Sequence, residues 1–161
     1  LEFRRVLVQS TYDKAIADLN QAILLNPKNA QGYFRRGGVY RFKGDYDKAI
    51  IDLTQSIQLD PKYAPAHINL AWILATCPQA GMRDGKKAVE NATKACELSQ
   101  WKDPRAIDTL AAACAEAGNF DNAVKWENQY LETPNLSVSM TTDAKGRLAL
   151  YQAHKPYHAD K

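Results

Sequence analysis

His154 and His158 stand four residues apart, the spacing at which two imidazoles on one helix face could hold a metal ion, but Pro156 falls between them and breaks any helix that would align them. The third histidine, His67, lies in an apolar stretch, where packing is its expected task. Cys77, Cys96 and Cys114 are odd in number and lack C-x₂-C spacing, which disfavours both a complete disulfide framework and a zinc site. Cys96 and Cys114 fall where a helix wants a small apolar residue, so buried thiols in a reducing compartment, the cytoplasm, are expected. There is no G-x-x-x-x-G-K-[ST] loop to cradle phosphate, and no G-x-G-x-x-G, G-x-S-x-G or H-E-x-x-H. The chain is therefore expected to have no catalytic residues, metal or cofactor. Asn91-Ala-Thr and Asn135-Leu-Ser match a glycosylation sequon, a pattern too frequent by chance to carry weight.

What remains is the chemistry of binding, for which aromatic and arginine side chains are the enriched types. The elements that would position them are repeated. Ala15, Ala49, Ala88 and Ala123 sit in the related phrases Tyr12-Asp-Lys-Ala-Ile, Tyr46-Asp-Lys-Ala-Ile, Gly85-Lys-Lys-Ala-Val and Phe120-Asp-Asn-Ala-Val, at intervals of 34, 39 and 35 residues. A period near 34 belongs to a helix–turn–helix unit that buries its apolar face only by stacking on its neighbours. An apolar content of 45 % is enough for such a seam, and 24 % charged residues is ordinary for a soluble helical protein. The net charge of +3 is spread along the chain with acids and bases interleaved, so no basic stripe suited to nucleic acid forms. No apolar run of about 18 residues exists to span a membrane. A chain that opens on Leu1 rather than Met is expected to be a fragment or a processed form.

Within the second unit, Tyr33, Gly37 and Tyr40 share one face of a first helix over about residues 29–43, and Gly44-Asp45 makes the turn. A second helix over 46–58 turns Ala49, Ile50, Leu53 and Ile57 inward, with Ala49 facing Gly37 at the crossing. The set Tyr33, Gly37, Tyr40, Gly44, Tyr46, Ala49, Leu53 and Pro61 resembles the tetratricopeptide repeat (TPR), and the resemblance extends over residues 11–131. It implies an all-α, right-handed α-solenoid of stacked helix–turn–helix units closed by a C-terminal capping helix. The expected boundaries are a truncated or foreign first helix over 1–10, repeats at about 11–27, 28–61, 62–102 and 103–132, a loop over 133–142, a cap over 143–155 and a tail over 156–161. The third repeat carries five extra residues within Thr76 to Gly85. In the fourth, Glu127 stands where the family places an apolar residue, and the adjacent Trp126 is expected to substitute. The phrases Asp84-Gly-Lys-Lys-Ala-Val-Glu and Asp108-Thr-Leu-Ala-Ala-Ala resemble a bacterial variant of the repeat.

The resemblance also implies where binding occurs. In that family the first helices of successive repeats line a groove for a peptide. Carried over by helical phase, the groove residues are Gln31, Phe34, Arg35, Gly38, Arg41 and Phe42 in the second repeat, Ile68, Asn69 and Trp72 in the third, and Arg105, Asp108, Thr109, Ala112 and Glu116 in the fourth. The alternative for Phe34 and Trp72 is packing against neighbouring helices. Of the five positions with which chaperone-binding members clamp a C-terminal carboxylate, Asn69 and Arg105 match two, while Phe34, Gly38 and Thr109 replace the rest, so that clamp is incomplete. The implied function is a non-catalytic protein-interaction module taking a peptide with acidic and apolar residues. The alternative is a regulatory or docking region of a larger enzyme or secretion component. Self-association is expected at the N-terminal end, where Leu19 and Ile23 would otherwise face water.

Overall fold

The computed structural model describes residues 2–159, with side chains from Gln9 onward, and among these residues every regular element is helical. The fold is all-α, of the α-solenoid class built from helix–turn–helix units. Two compact units divide it, Leu1–Ala66 and His67–Lys161.

The first unit holds α1 (Glu2–Leu25), α2 (Ala30–Lys43) and α3 (Tyr46–Leu59). Asn29 caps α2, its side chain accepting from the Gln31 N–H at 3.1 Å. Gly44 ends the helix at a φ of 88°, and the Asp45 N–H then reaches back to the Tyr40 carbonyl at 2.9 Å. A Cβ on Gly37 would stand 3.1 Å from Leu53 Cγ and 3.2 Å from the Ala49 carbonyl oxygen, so glycine is what lets α2 and α3 cross this closely. On α3 the buried positions are Ala49, Asp52, Leu53 and Ser56, whereas Ile50 and Ile57 are only half-buried. The two polar groups are tolerated because each is bonded. Asp52 takes a two-pronged contact from Arg36, with Nε and Nη2 each 2.7 Å from a carboxylate oxygen. Ser56 Oγ donates to the Ala30 carbonyl at 2.8 Å.

The N-terminal segment differs from expectation. Residues 2–25 form one continuous helix rather than a separate piece ending near residue 10, because neither Gly nor Pro interrupts the chain before Pro27. Ile23 does not face water either; it is buried, with Cγ1 lying 3.2 Å from where a Cβ on Gly32 of α2 would stand. Among the described side chains of α1 the exposed large apolar residues are instead Leu24 and Leu25.

In the second unit, α4 (Ala64–Thr76, entering from the first unit) is followed by a 3₁₀ turn at Ala80–Met82, then α5 (Gly85–Leu98), α6 (Pro104–Glu116), α7 (Phe120–Leu131) and α8 (Val138–Gln152). Neighbours pack in sequence, α5 on α6, α6 on α7 and α7 on α8. The alanine run of α6 is almost wholly buried. The five-residue insertion is folded, with Arg83 donating Nη1 to the Cys77 carbonyl at 2.8 Å and Nε to Glu116 at 2.9 Å. Its last turn hands over to α5 at Gly85, where an added Cβ would lie 2.6 Å from the Ala117 backbone nitrogen. The capping helix begins at Val138, inside the stretch expected as loop, because Ser137 caps it with Oγ accepting from the Met140 N–H at 3.2 Å.

Candidate peptide-binding faces

The first helix of each hairpin turns one side to its partner helix and leaves another for contacts outside the hairpin. On α2 that outer side carries Phe34, Arg35 and Arg41. Phe34 is half-buried and meets Tyr63 edge-on, with ring centroids 5.1 Å apart. Arg35 is exposed. Arg41 lies over the exposed Phe42 ring at 4.7 Å, and its Nε is buried without a hydrogen-bond partner. Burial pushes the Arg41 pKa down from its ordinary value.

The apolar run of α4 decides which of its residues are available. From His67 to Cys77 every residue is buried except Asn69 and Trp72. Ile68, expected in the groove, is 7 % exposed and belongs to the core. Simple helical phase placed it outside because that counting assumes a helix with one apolar face, whereas this one is apolar nearly all round and is enclosed accordingly. His67 is also buried, its Nδ1 2.9 Å from Asn91 Oδ1.

On α6, Thr109 and Ala112, expected in the groove, are buried with the alanine run, while Arg105 is exposed and turned onto its own cap, Nη2 lying 2.7 Å from Asp103 Oδ2. Asp108 is half-buried and engaged by Arg147 of α8, whose Nη2 stands 2.6 Å from Asp108 Oδ1. Arg147 also holds Glu127 of α7, Nη2 to Oε1 at 3.1 Å and Nε to Oε1 at 3.2 Å. Glu127 is itself fully buried, so Trp126 does not take its place in the core. Burial and then the nearby Asp108 charge push the Glu127 carboxyl up to about 8, against the opposing pull of Arg147. The Tyr151 hydroxyl, buried beside them, has no hydrogen-bond partner. Glu127 in an apolar slot was the sequence signal that a buried counter-charge had to exist; nothing pointed to Arg147 in particular.

Trp126 instead stacks on Trp101, centroids 5.0 Å apart, at the mouth of a cleft of about 560 Å³ bounded by Val89, Thr93, Leu110 and Cys114. That cleft lies on residues outside the expected groove. Burial lifts the thiols of Cys96 and Cys114 to about 12 and about 11, so neither is a nucleophile at neutral pH. Among the described residues no group of His, Cys, Asp and Glu is placed to hold a metal ion, and no helix is long and apolar enough to cross a membrane.

Residues 30–63 match the tetratricopeptide repeat family model. Solved structures share the fold beyond that unit. MamA matches with a TM-score of 0.62 and 26 % identity, over 75 % of this chain and 67 % of that one. A MamA RS-1 double mutant matches with a TM-score of 0.69 and 14 % identity, over 94 % of this chain and 85 % of that one. A thermophilic TPR protein of Thermus thermophilus matches with a TM-score of 0.64 and 21 % identity, over 93 % of this chain and 77 % of that one. No curated protein matches. The family model thus matches one repeat of the chain, and the solved structures share the helical fold over most of the rest.

Proposed function

We propose that the chain is a non-catalytic protein-interaction module whose first helices bind a peptide segment or hold an assembly together. The TPR fold is that of an interaction module in general. The observation that favours peptide recognition is α4: from His67 to Cys77 only Asn69 and Trp72 are not fully buried, a hydrogen-bonding amide one turn from the largest aromatic side chain. On α2, the exposed Arg35 suits a carboxylate or carbonyl acceptor. A second copy of the chain is a further candidate partner through Leu24 and Leu25, which are 73 % and 85 % exposed. Sedimentation giving one monomer mass across concentrations would remove that candidate.

The test is selection of displayed random peptides on the full chain, followed by Kd measurement. Truncating a central aromatic hot spot costs on the order of 2 kcal/mol, so Trp72→Ala should weaken the selected peptides at least about tenfold while circular dichroism stays helical. Arg35→Ala should weaken them more at low salt than at high salt. Peptides that keep their Kd on both variants would reject this assignment.

A further inference from the structure

After α8 the chain reverses. His154 adopts a φ of 54°, and the Lys155 N–H closes the helix end on the Leu150 carbonyl at 2.9 Å. A left-handed backbone on a non-glycine residue is disfavoured, and here it is held by the His154 ring stacking on Phe120 at 5.2 Å with the planes only 4° apart. The turn aims the following residues at α4 and α6. Tyr157 meets Trp72 with ring centroids 6.3 Å apart, and the Arg147 guanidinium lies 5.8 Å from the Trp72 ring and 6.0 Å from that of Tyr157. His158 Nε2 is 2.7 Å from Glu116 Oε2. The Ala159 N–H donates to the Thr76 carbonyl at 2.8 Å. Thr76 is the last residue of α4, so its carbonyl has no partner inside the helix and the returning backbone supplies one.

We propose that the face of the second unit carrying Trp72, Thr76 and Glu116 is a peptide-binding site, and that the chain's own segment Lys155–Ala159 is its resident, exchangeable ligand. The inference rests on the reading of the chain as an interaction module and names the chemistry one of its faces accepts. An extended segment places an aromatic side chain against Trp72 and Arg147. Its next residue brings a cationic or imidazole group to Glu116, and the amide after that goes to the end of α4.

The face keeps its own ion pairs without its occupant, which is what makes exchange possible. Glu116 Oε1 remains paired with Arg83, and Arg147 keeps Asp108 and Glu127. The Trp72 ring, the Thr76 carbonyl and Glu116 Oε2 lose partners, and Arg147 loses the Tyr157 ring. The returning segment buries none of its own side chains fully, since His158 is exposed and Pro156, Tyr157 and Ala159 are half-buried. A segment with so few buried contacts opens at low cost.

The probe is a labelled peptide acetyl-Lys-Pro-Tyr-His-Ala-amide, titrated into the full chain and into the full chain carrying Tyr157→Ala and His158→Ala. A tether this short gives an effective concentration on the order of millimolar, so a segment that holds its seat must bind in trans with a Kd below about that value. The peptide is expected to saturate the doubly substituted chain, at least tenfold more tightly than the unaltered chain, and to lose binding when Trp72→Ala is added. The Ala159 amide should exchange with solvent more slowly in the unaltered chain than in the double variant. No saturation below about millimolar, or equal affinity for both chains, overturns the proposal, as does equal exchange at Ala159. If displayed peptides bind while this one does not, the resident ligand is rejected and the interaction module stands; if none binds either, the module itself fails.

Discussion

Arg147 Nη2 stands 2.6 Å from Asp108 Oδ1 and 3.1 Å from Glu127 Oε1, so one guanidinium on the capping helix serves acids from both helices of the hairpin before it. Arg147 retains only 10 % side-chain exposure and Glu127 none. Removing the cation leaves the Asp108 carboxylate without its counter-charge and the Glu127 carboxyl without its donor, a loss worth about 3 to 5 kcal/mol for a buried pair broken on one side. Arg147→Ala should therefore lower the denaturant midpoint sharply, and Glu127→Leu with Arg147→Met should recover much of the loss. A small effect of Arg147→Ala alone would mean that water reaches this cluster.

The same cluster sets a pH dependence. With the Glu127 carboxyl raised from 4.5 to about 8, the folded chain keeps a proton through that window which the unfolded chain has released. Its contribution to stability is fully present below about 4.5 and is lost as pH rises through about 8. Glu127→Gln cannot titrate, so its melting temperature should fall less than that of the unaltered chain between about pH 5 and pH 9. Identical slopes would contradict the protonated carboxyl.

Gly85 presents a different kind of sensitivity. An alanine Cβ there would lie 2.6 Å from the Ala117 nitrogen and 2.8 Å from the Ala117 Cα, both backbone atoms that cannot swing aside. Overpacking of this sort costs about 1 to 3 kcal/mol, so thermal unfolding of Gly85→Ala should shift down by several degrees. Gly38→Ala, with nothing within 4 Å of the added methyl, is the matched control and should be neutral or slightly stabilising. Equal effects at the two sites would show that the α5–α6 approach is looser than described.

Protection from hydrogen exchange should be lower in α1 than in α3. Of the α1 side chains from Gln9 to Leu25 only Ile23 is buried, whereas α3 buries four residues, including the bonded Asp52 and Ser56. Helices anchored by little apolar contact open first. Slower exchange in α1 would indicate that its exposed leucines are covered by something in solution, a second copy being the first candidate.

The sequence made the hairpin of α2 and α3 legible because its signals are local: Gly37 opposite Ala49 and Gly44 at the turn. Ile68 was misplaced because helical phase cannot reveal that α4 is enclosed on nearly every side. The α1 and α8 boundaries slipped for related reasons, one helix lacking an expected breaker and the other starting inside a polar stretch that Ser137 caps. Trp72 was expected either in the groove or packed on a neighbour, and Glu127 was legible as an anomaly. Their partners were not, since Arg147 lies 20 residues from Glu127 and Tyr157 reaches Trp72 only after a left-handed turn at a histidine, a residue type that does not announce one.

The most direct measurement of the central claim is an amide spectrum of the full chain, recorded while a selected peptide is added. Binding to α4 predicts the largest shifts at Asn69 and Trp72, and binding to α2 the largest at Arg35, in either case with the Trp101 and Trp126 indole signals unmoved. Shifts concentrated instead at Trp101, Trp126 and Val89 would place the interaction in the cleft between α5, α6 and α7 and contradict the assignment of these faces.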